Sequence, residues 1–219
     1  MKINIFDYES KFSRFMTRLM ELILLNFVFI LTCIPIFTIG ASITALYTIT
    51  LKIVRKEEGY VVRGYFKAFA ANFKQATAFW LIALLLYFAT YIIYLAAATN
   101  GGYLQTCYTV ICSVLAILYS IYFLFLFPLI ATFENTFKSM AVNAFSMIIA
   151  HFPKVLAVFL TVAVPLFISF GINSMIMQYA LLFWILIGFS LVGLWSSLYL
   201  NKIFEPYRKE AEKVADRQI

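Results

Sequence analysis

Three stretches of the chain contain no Asp, Glu, Lys or Arg: Leu22 to Leu51, Gln75 to Phe133 and Val155 to Asn201. One helical crossing of a bilayer takes about 20 apolar residues, so the second and third stretches each hold two helices. Their turns are legible as Thr99-Asn100-Gly101-Gly102 and Gly171-Ile172-Asn173-Ser174, residues that break helices and accept turn geometry. The first stretch is shorter, with Pro35 and Gly40 five positions apart near its middle. It reads either as one kinked span or as two spans folded back on each other.

Charge decides between them. The Lys and Arg residues fall in four groups: residues 2–18, residues 52–74, the pair Lys138 and Lys154, and the tail from Lys202 to Arg217. If every uncharged stretch is a hairpin, all four groups share one side, which the positive-inside rule makes the cytoplasm. A single kinked span would instead translocate Lys2, Lys11, Arg14 and Arg18. The expected fold is therefore an all-α polytopic membrane helix bundle of about six transmembrane helices in three hairpins, near residues 19–34, 40–55, 76–98, 103–132, 155–173 and 176–203. The whole of 1–219 is expected to form one membrane domain with both termini cytoplasmic. Residues 1–18 read as a cytoplasmic interfacial segment, since Asp7 and Glu9 do not suit a cleaved signal peptide. Residues 204–219 form a cytoplasmic tail. Pro35 lacks an amide hydrogen and Gly40 can take positive φ, so Pro35, Thr38 and Gly40 are the candidate turn, as an outer turn or as a re-entrant tip.

Composition supports the membrane reading. The chain is 64% hydrophobic and 12% charged, against about 25% charged in an ordinary soluble domain, and its mean hydropathy is +0.93. Too few polar groups remain to cover a water-soluble surface. The net charge of +7 does not indicate nucleic acid, because the basic residues are not set in a reading element.

Two segments between hairpins are amphipathic. In residues 62–74, Phe66, Phe69 and Phe73 share one helical face and Arg63, Lys67 and Lys74 the other, as in an interfacial elbow helix. In residues 136–152, Phe137, Ala141, Ala144, Ile148 and Phe152 form a stripe. Aligning residues 66–80 with 145–159 pairs Phe66 with Phe145, Ala71 with Ala150, Phe73 with Phe152 and Ala78 with Ala157, and sets Asn72 opposite His151. The pattern fits either chance or a parallel repeat of hairpin and elbow. Phe66, Phe69, Phe73, Phe145, His151 and Phe152 are the candidate partner-contact residues, membrane seating being the plainer role for both elbows.

The sequence offers little catalytic chemistry. It lacks HExxH, GxSxG and a Walker glycine loop, His151 is the only histidine, and no enzyme activity, cofactor or metal is expected. Glu21 and Glu134 are the acidic residues nearest the spans; Glu21 lies within one helical turn of Arg18, which suits an interfacial ion pair more than an ion pathway. Asn26 and Asn173 are candidate intramembrane polar residues, able to line a cavity or to bond between helices. Cys33, Cys107 and Cys112 sit in apolar surroundings as small buried side chains.

Several motifs together resemble a known family. They are Phe12 to Phe15 (FSRF), the Pro35 to Ala41 turn (PIFTIGA), Thr44-Ala45-Leu46-Tyr47 with the basic KIVRKEEG that follows, Tyr65 to Ala76, Phe127-Pro128-Leu129, and Asn143 to Lys154. This set is similar to the YesL-like integral membrane proteins of Gram-positive bacteria, a family of unknown function. The resemblance implies several spans and an accessory role in carbohydrate uptake or its sensing, with an importer permease or a sensor kinase as partner. A small-molecule transporter or substrate-capture subunit is the alternative.

Overall fold

The computed structural model describes residues 11–57, 59–99, 102–171 and 174–216. Among them there is no strand. The helices are α1 (Lys11–Cys33), α2 (Ile39–Arg55), α3 (Val61–Ala98), α4 (Gly102–Thr132), α5 (Phe137–Ala150), α6 (Phe152–Gly171), α7 (Ser174–Phe183) and α8 (Phe189–Asp216), with a 3-10 turn at Ile36–Thr38 and a π-helical segment at Trp184–Gly188. Six helical stretches are long and apolar enough to cross a membrane, so the chain is an all-α, multi-pass membrane bundle.

The chain folds back between α1 and α2. The Tyr65 hydroxyl lies 2.6 Å from Thr32 Oγ1 and 3.4 Å from the Ser42 carbonyl, whereas a continuous helix would hold residues ten apart at about 15 Å. Pro35 takes an extended conformation with φ −74° and ψ 115°. The Thr38 hydroxyl is 2.6 Å from the carbonyls of both Thr32 and Pro35, so it serves acceptors that the end of α1 leaves open. Gly40 is not a positive-φ turn residue, as the sequence suggested; it lies inside α2. Its use is steric. A Cβ there would stand 2.6 Å from the Ala76 carbonyl oxygen and 2.6 Å from Trp80 Cβ.

That contact sets α2 at the centre of the bundle. Gly40, Ala41, Ser42, Thr44 and Ala45 are all buried, and such small side chains let helix backbones approach where lipid supplies no hydrophobic drive. On another face α2 runs beside α8 with matched polar pairs: Tyr47 with Ser196 at 3.2 Å, Thr50 with Ser197 at 2.8 Å, and Arg55 Nε donating to Asn201 Oδ1 at 3.0 Å. Leu126, Leu129 and Ile130 of α4 pack with Leu51 and Tyr47 of α2 in the main core.

Three expectations about boundaries are corrected. Residues 11–18 continue α1 instead of forming a separate interfacial segment, and residues 204–216 extend α8. The first elbow is not a separate helix either, because residues 61–98 form one 38-residue α3. The second elbow does form its own helix, α5, which ends at His151 (φ −122°, ψ 30°). The aligned positions explain the difference: Lys74 has an amide that continues the helical ladder, whereas Pro153 has none to offer the Ile149 carbonyl and its ring crowds that carbonyl, so α5 stops and Pro153 lies in the first turn of α6.

A 38-residue helix is about 57 Å long, well beyond a hydrocarbon layer of about 30 Å. The exposed Arg63, Lys67 and Lys74 mark the N-terminal part of α3 as the part that leaves that layer. Trp80 Nε1 donates to the Ile36 carbonyl at 2.7 Å, so the α1–α2 turn lies beside Trp80, and α3 runs on for roughly 18 more residues, about 27 Å. The first turn is therefore recessed relative to the far end of α3. Depth-dependent quenching of probes placed singly at Phe37 and Tyr91 is expected to put Phe37 nearer the basic end of the molecule; equal depths from that end would remove the offset. Gly40→Val forces a backbone carbonyl to move and is expected to cost about 1–3 kcal/mol, read as a lower unfolding midpoint in detergent. Gly59→Ala, where a Cβ meets nothing within 4 Å, leaves the midpoint unchanged.

Candidate functional site

Asn26 is the polar residue of α1 that the bundle encloses completely. Its Nδ2 donates to the carbonyls of Trp184 at 3.0 Å and Ile185 at 2.7 Å, and its Oδ1 accepts the Ser190 amide at 3.1 Å. All three backbone groups lie in or beside the π-helical segment, where the wider turn disturbs the regular i to i+4 ladder. Asn26 supplies the partners that this irregularity removes. Around it, Trp184 Nε1 donates to Ser169 Oγ at 3.0 Å, and Phe189 packs against Phe29 and Trp184 with ring centroids 5.3 and 4.9 Å apart. The cluster joins α1, α6 and the start of α8. Its polar atoms are committed to one another, so it works as a clamp and not as an open pathway.

The other expected residues separate into different places. Arg18 Nη1 donates to Glu21 Oε2 at 2.8 Å, on α1 near the basic end. Asn173 lies outside the described residues, as do Asn100 and Gly101. Pro35 is exposed while Thr38 and Gly40 are buried. Of the first elbow, Phe69 and Phe73 pack into the protein core, Phe69 stacking on Tyr65 with centroids 6.4 Å apart. The fully buried members of that face are Tyr65 and Ala76, so Phe69 and Phe73 are half-buried against the core, and of the three phenylalanines Phe66 is the exposed one. The helical register is turned by about one residue from the sequence estimate because Tyr65, with its hydroxyl held by Thr32, takes the inward position.

The second elbow keeps an outward face. Met140, Ala144 and Met147 of α5 are buried against α4 and α6. Val142, Phe145 and Ile149 point away, at 55%, 60% and 63% exposure, and Phe152 at the start of α6 is 51% exposed. The predicted stripe of Phe137, Ala141, Ala144, Ile148 and Phe152 thus mixes two faces: Phe137 stacks on Phe79 with centroids 3.9 Å apart, Ala144 is core, and Phe152 is outside. His151 Nε2 lies 3.1 Å from the Tyr207 hydroxyl, which ties the elbow to α8 and makes His151 a brace between helices.

Between α4, α5 and α8 lies a cavity of about 400 Å³. Leu129, Phe133 and Met147 give it apolar walls, and Asn143, Ser146 and Tyr207 a polar side. Among the described residues, no three His, Cys, Asp or Glu side chains gather closely enough to hold a metal ion. Neither the π-helical segment nor the Trp80 bond to the turn leaves a signal in the residue pattern.

Asn26→Leu is expected to strand two carbonyls and one amide at about 1–3 kcal/mol for each group left unpaired. The outcome is a clear drop in unfolding midpoint together with changed fluorescence from the tryptophans, Trp184 included. An unchanged midpoint would show that the π segment finds other partners.

Comparison with known proteins gives one family match. Residues 22–94 are similar to the family described as "Protein of unknown function, DUF624". The match covers about a third of the chain and takes in most of the apolar part of α1, the recessed turn, α2 and α3 as far as Tyr94. No curated protein and no solved structure matches the chain.

Proposed function

We propose that the protein is a non-catalytic membrane component that binds another membrane protein through the outward face of α5. The observation that carries this reading is the run Val142, Phe145 and Ile149, spaced three or four apart and exposed, on a short helix whose opposite face is anchored in the core, with the exposed Phe152 beside it at the start of α6. Such spacing suits a helix laid in an apolar groove of a partner. Lys138 and Lys154 flank the face, which fits a place at the cytoplasmic border of the membrane with both termini on that side. The resemblance to YesL-like proteins supplies the partner class: the permease of a carbohydrate importer or a sensor kinase. A second reading, capture of a small molecule, draws on the 400 Å³ cavity, which is large enough for a small ligand. It opens beside α5 and α8, away from the Pro35 and Thr99 turns.

Cross-linking in native membranes, followed by purification of the tagged protein, tests the proposal. A permease or kinase is expected to be recovered with the wild type, and the double variant Phe145→Ser, Ile149→Ser is expected to lose most of it while inserting normally. Equal recovery with both proteins would exclude the α5 face. Recovery of the protein alone with a bound small molecule would favour the second reading.

A further inference from the structure

A second cavity, of about 130 Å³, lies where α1, α2 and the first turn of α3 meet. Its charged lining is Arg18, Lys52, Arg63 and Glu57, over a floor that includes Ile49 and Ile53. Glu57, the carboxylate among the described lining residues, is already answered from outside the cavity, since its Oε1 lies 3.9 Å from Arg55 Nη1 and 3.4 Å from Arg208 Nη1. Arg18 shares its charge with Glu21. With Arg18 beside Glu21 and Glu57 beside Arg55 and Arg208, the positive charge among the described lining residues is carried chiefly by Lys52 and Arg63.

The backbone adds to the same field. Val61 and Gly64 of the first turn of α3 also line the cavity. Tyr60, the residue before the helix, gives no side-chain cap, and the ladder begins with the Gly64 amide donating to the Tyr60 carbonyl at 2.8 Å. The amides of Val61, Val62 and Arg63 precede that first bond, so the positive end of the helix dipole and its open donors lie at the cavity. Gly59 keeps the entrance clear, having no neighbour within 4 Å of its would-be Cβ.

We infer that this cavity binds a phosphate group, carried either by the headgroup of an anionic lipid or by a free phosphorylated molecule. Basic side chains from three helices converge on it, and basic pockets between membrane helices suit anionic headgroups. The apolar floor of Ile49 and Ile53 would lie beside the carbon portion of either ligand. The site stands independently of the partner reading, on different helices and different residues.

The test uses the full-length protein, purified in phosphate-free buffer and placed in phosphatidylcholine nanodiscs with or without phosphatidylglycerol. Native mass spectrometry counts the retained anionic lipid, and inorganic phosphate is titrated against the protein in detergent while its unfolding midpoint is followed. The double variant Lys52→Gln, Arg63→Gln removes two cavity cations; Lys67→Gln, Lys74→Gln removes the same charge from the exposed face of α3. The cavity variant is expected to lose retention of phosphatidylglycerol, or the midpoint shift with phosphate, by about tenfold, with the control within about twofold of wild type. Dependence on the lipid assigns the headgroup, and dependence on inorganic phosphate assigns the free ligand. Equal losses in both double variants, or no response to either probe, would overturn the site. The single variants Lys52→Gln and Arg63→Gln, each with an intermediate loss, carry the same test if the double variant does not fold.

Discussion

The backbone contact between α2 and α3 at Gly40 is the constraint on which the bundle depends. Inside a bilayer, apolar side chains gain little by leaving lipid for protein, so helices associate through close packing and hydrogen bonds. With no side chain at Gly40, the Ala76 carbonyl and Trp80 come up against α2 itself, and Trp80 then reaches the Ile36 carbonyl. The shortest of the candidate crossing helices thereby becomes the central one. Its other faces receive α4 and α8, and α1 returns along it from the turn. A bulkier residue at this one position would move α3, the turn and the ring of Phe127 together.

Two departures from regular helix are met by polar side chains, as an apolar solvent requires. Thr38 closes the end of α1, and Asn26 holds the π-helical segment 158 residues away in sequence. The serines and threonines of α2 mostly donate back along their own helix, as Ser42 does to Thr38 and Thr44 to Gly40. The buried Ser and Thr hydroxyls of α2 are thus satisfied within the helix, and those at positions 47, 50, 196 and 197 also bridge α2 and α8.

The helical class, the six apolar stretches and the fold-back at Pro35 were legible in sequence because charge and hydropathy alone determine them. The ion pair of Glu21 with Arg18 was legible for the same local reason. What was not legible depended on which helix lies beside which. Phe69 and Phe73 looked like surface residues because amphipathic periodicity reports a two-sided environment without saying whether the apolar side meets lipid or protein. Asn26 stood out as polar in an apolar run, yet its partners are backbone groups, which leave no sequence trace. The unequal fate of the two elbows was written in Lys74 and Pro153, and the alignment that paired them concealed its importance by counting only identities.

The unbroken length of α3 has a mechanical consequence. Proline interrupts the interior of α4 at 128, α6 at 165 and α8 at 206, whereas α3 has none. Pivoting where Ala76 meets Gly40, the roughly 33 Å of α3 beyond that contact carries its far end through about 3 Å for a rotation of about 5°. The start of this rod lines the basic cavity, its middle bears on α2 at Gly40, and its far half is joined to α4. Fastened at the middle and loaded at one end, α3 is a lever whose fulcrum is a glycine.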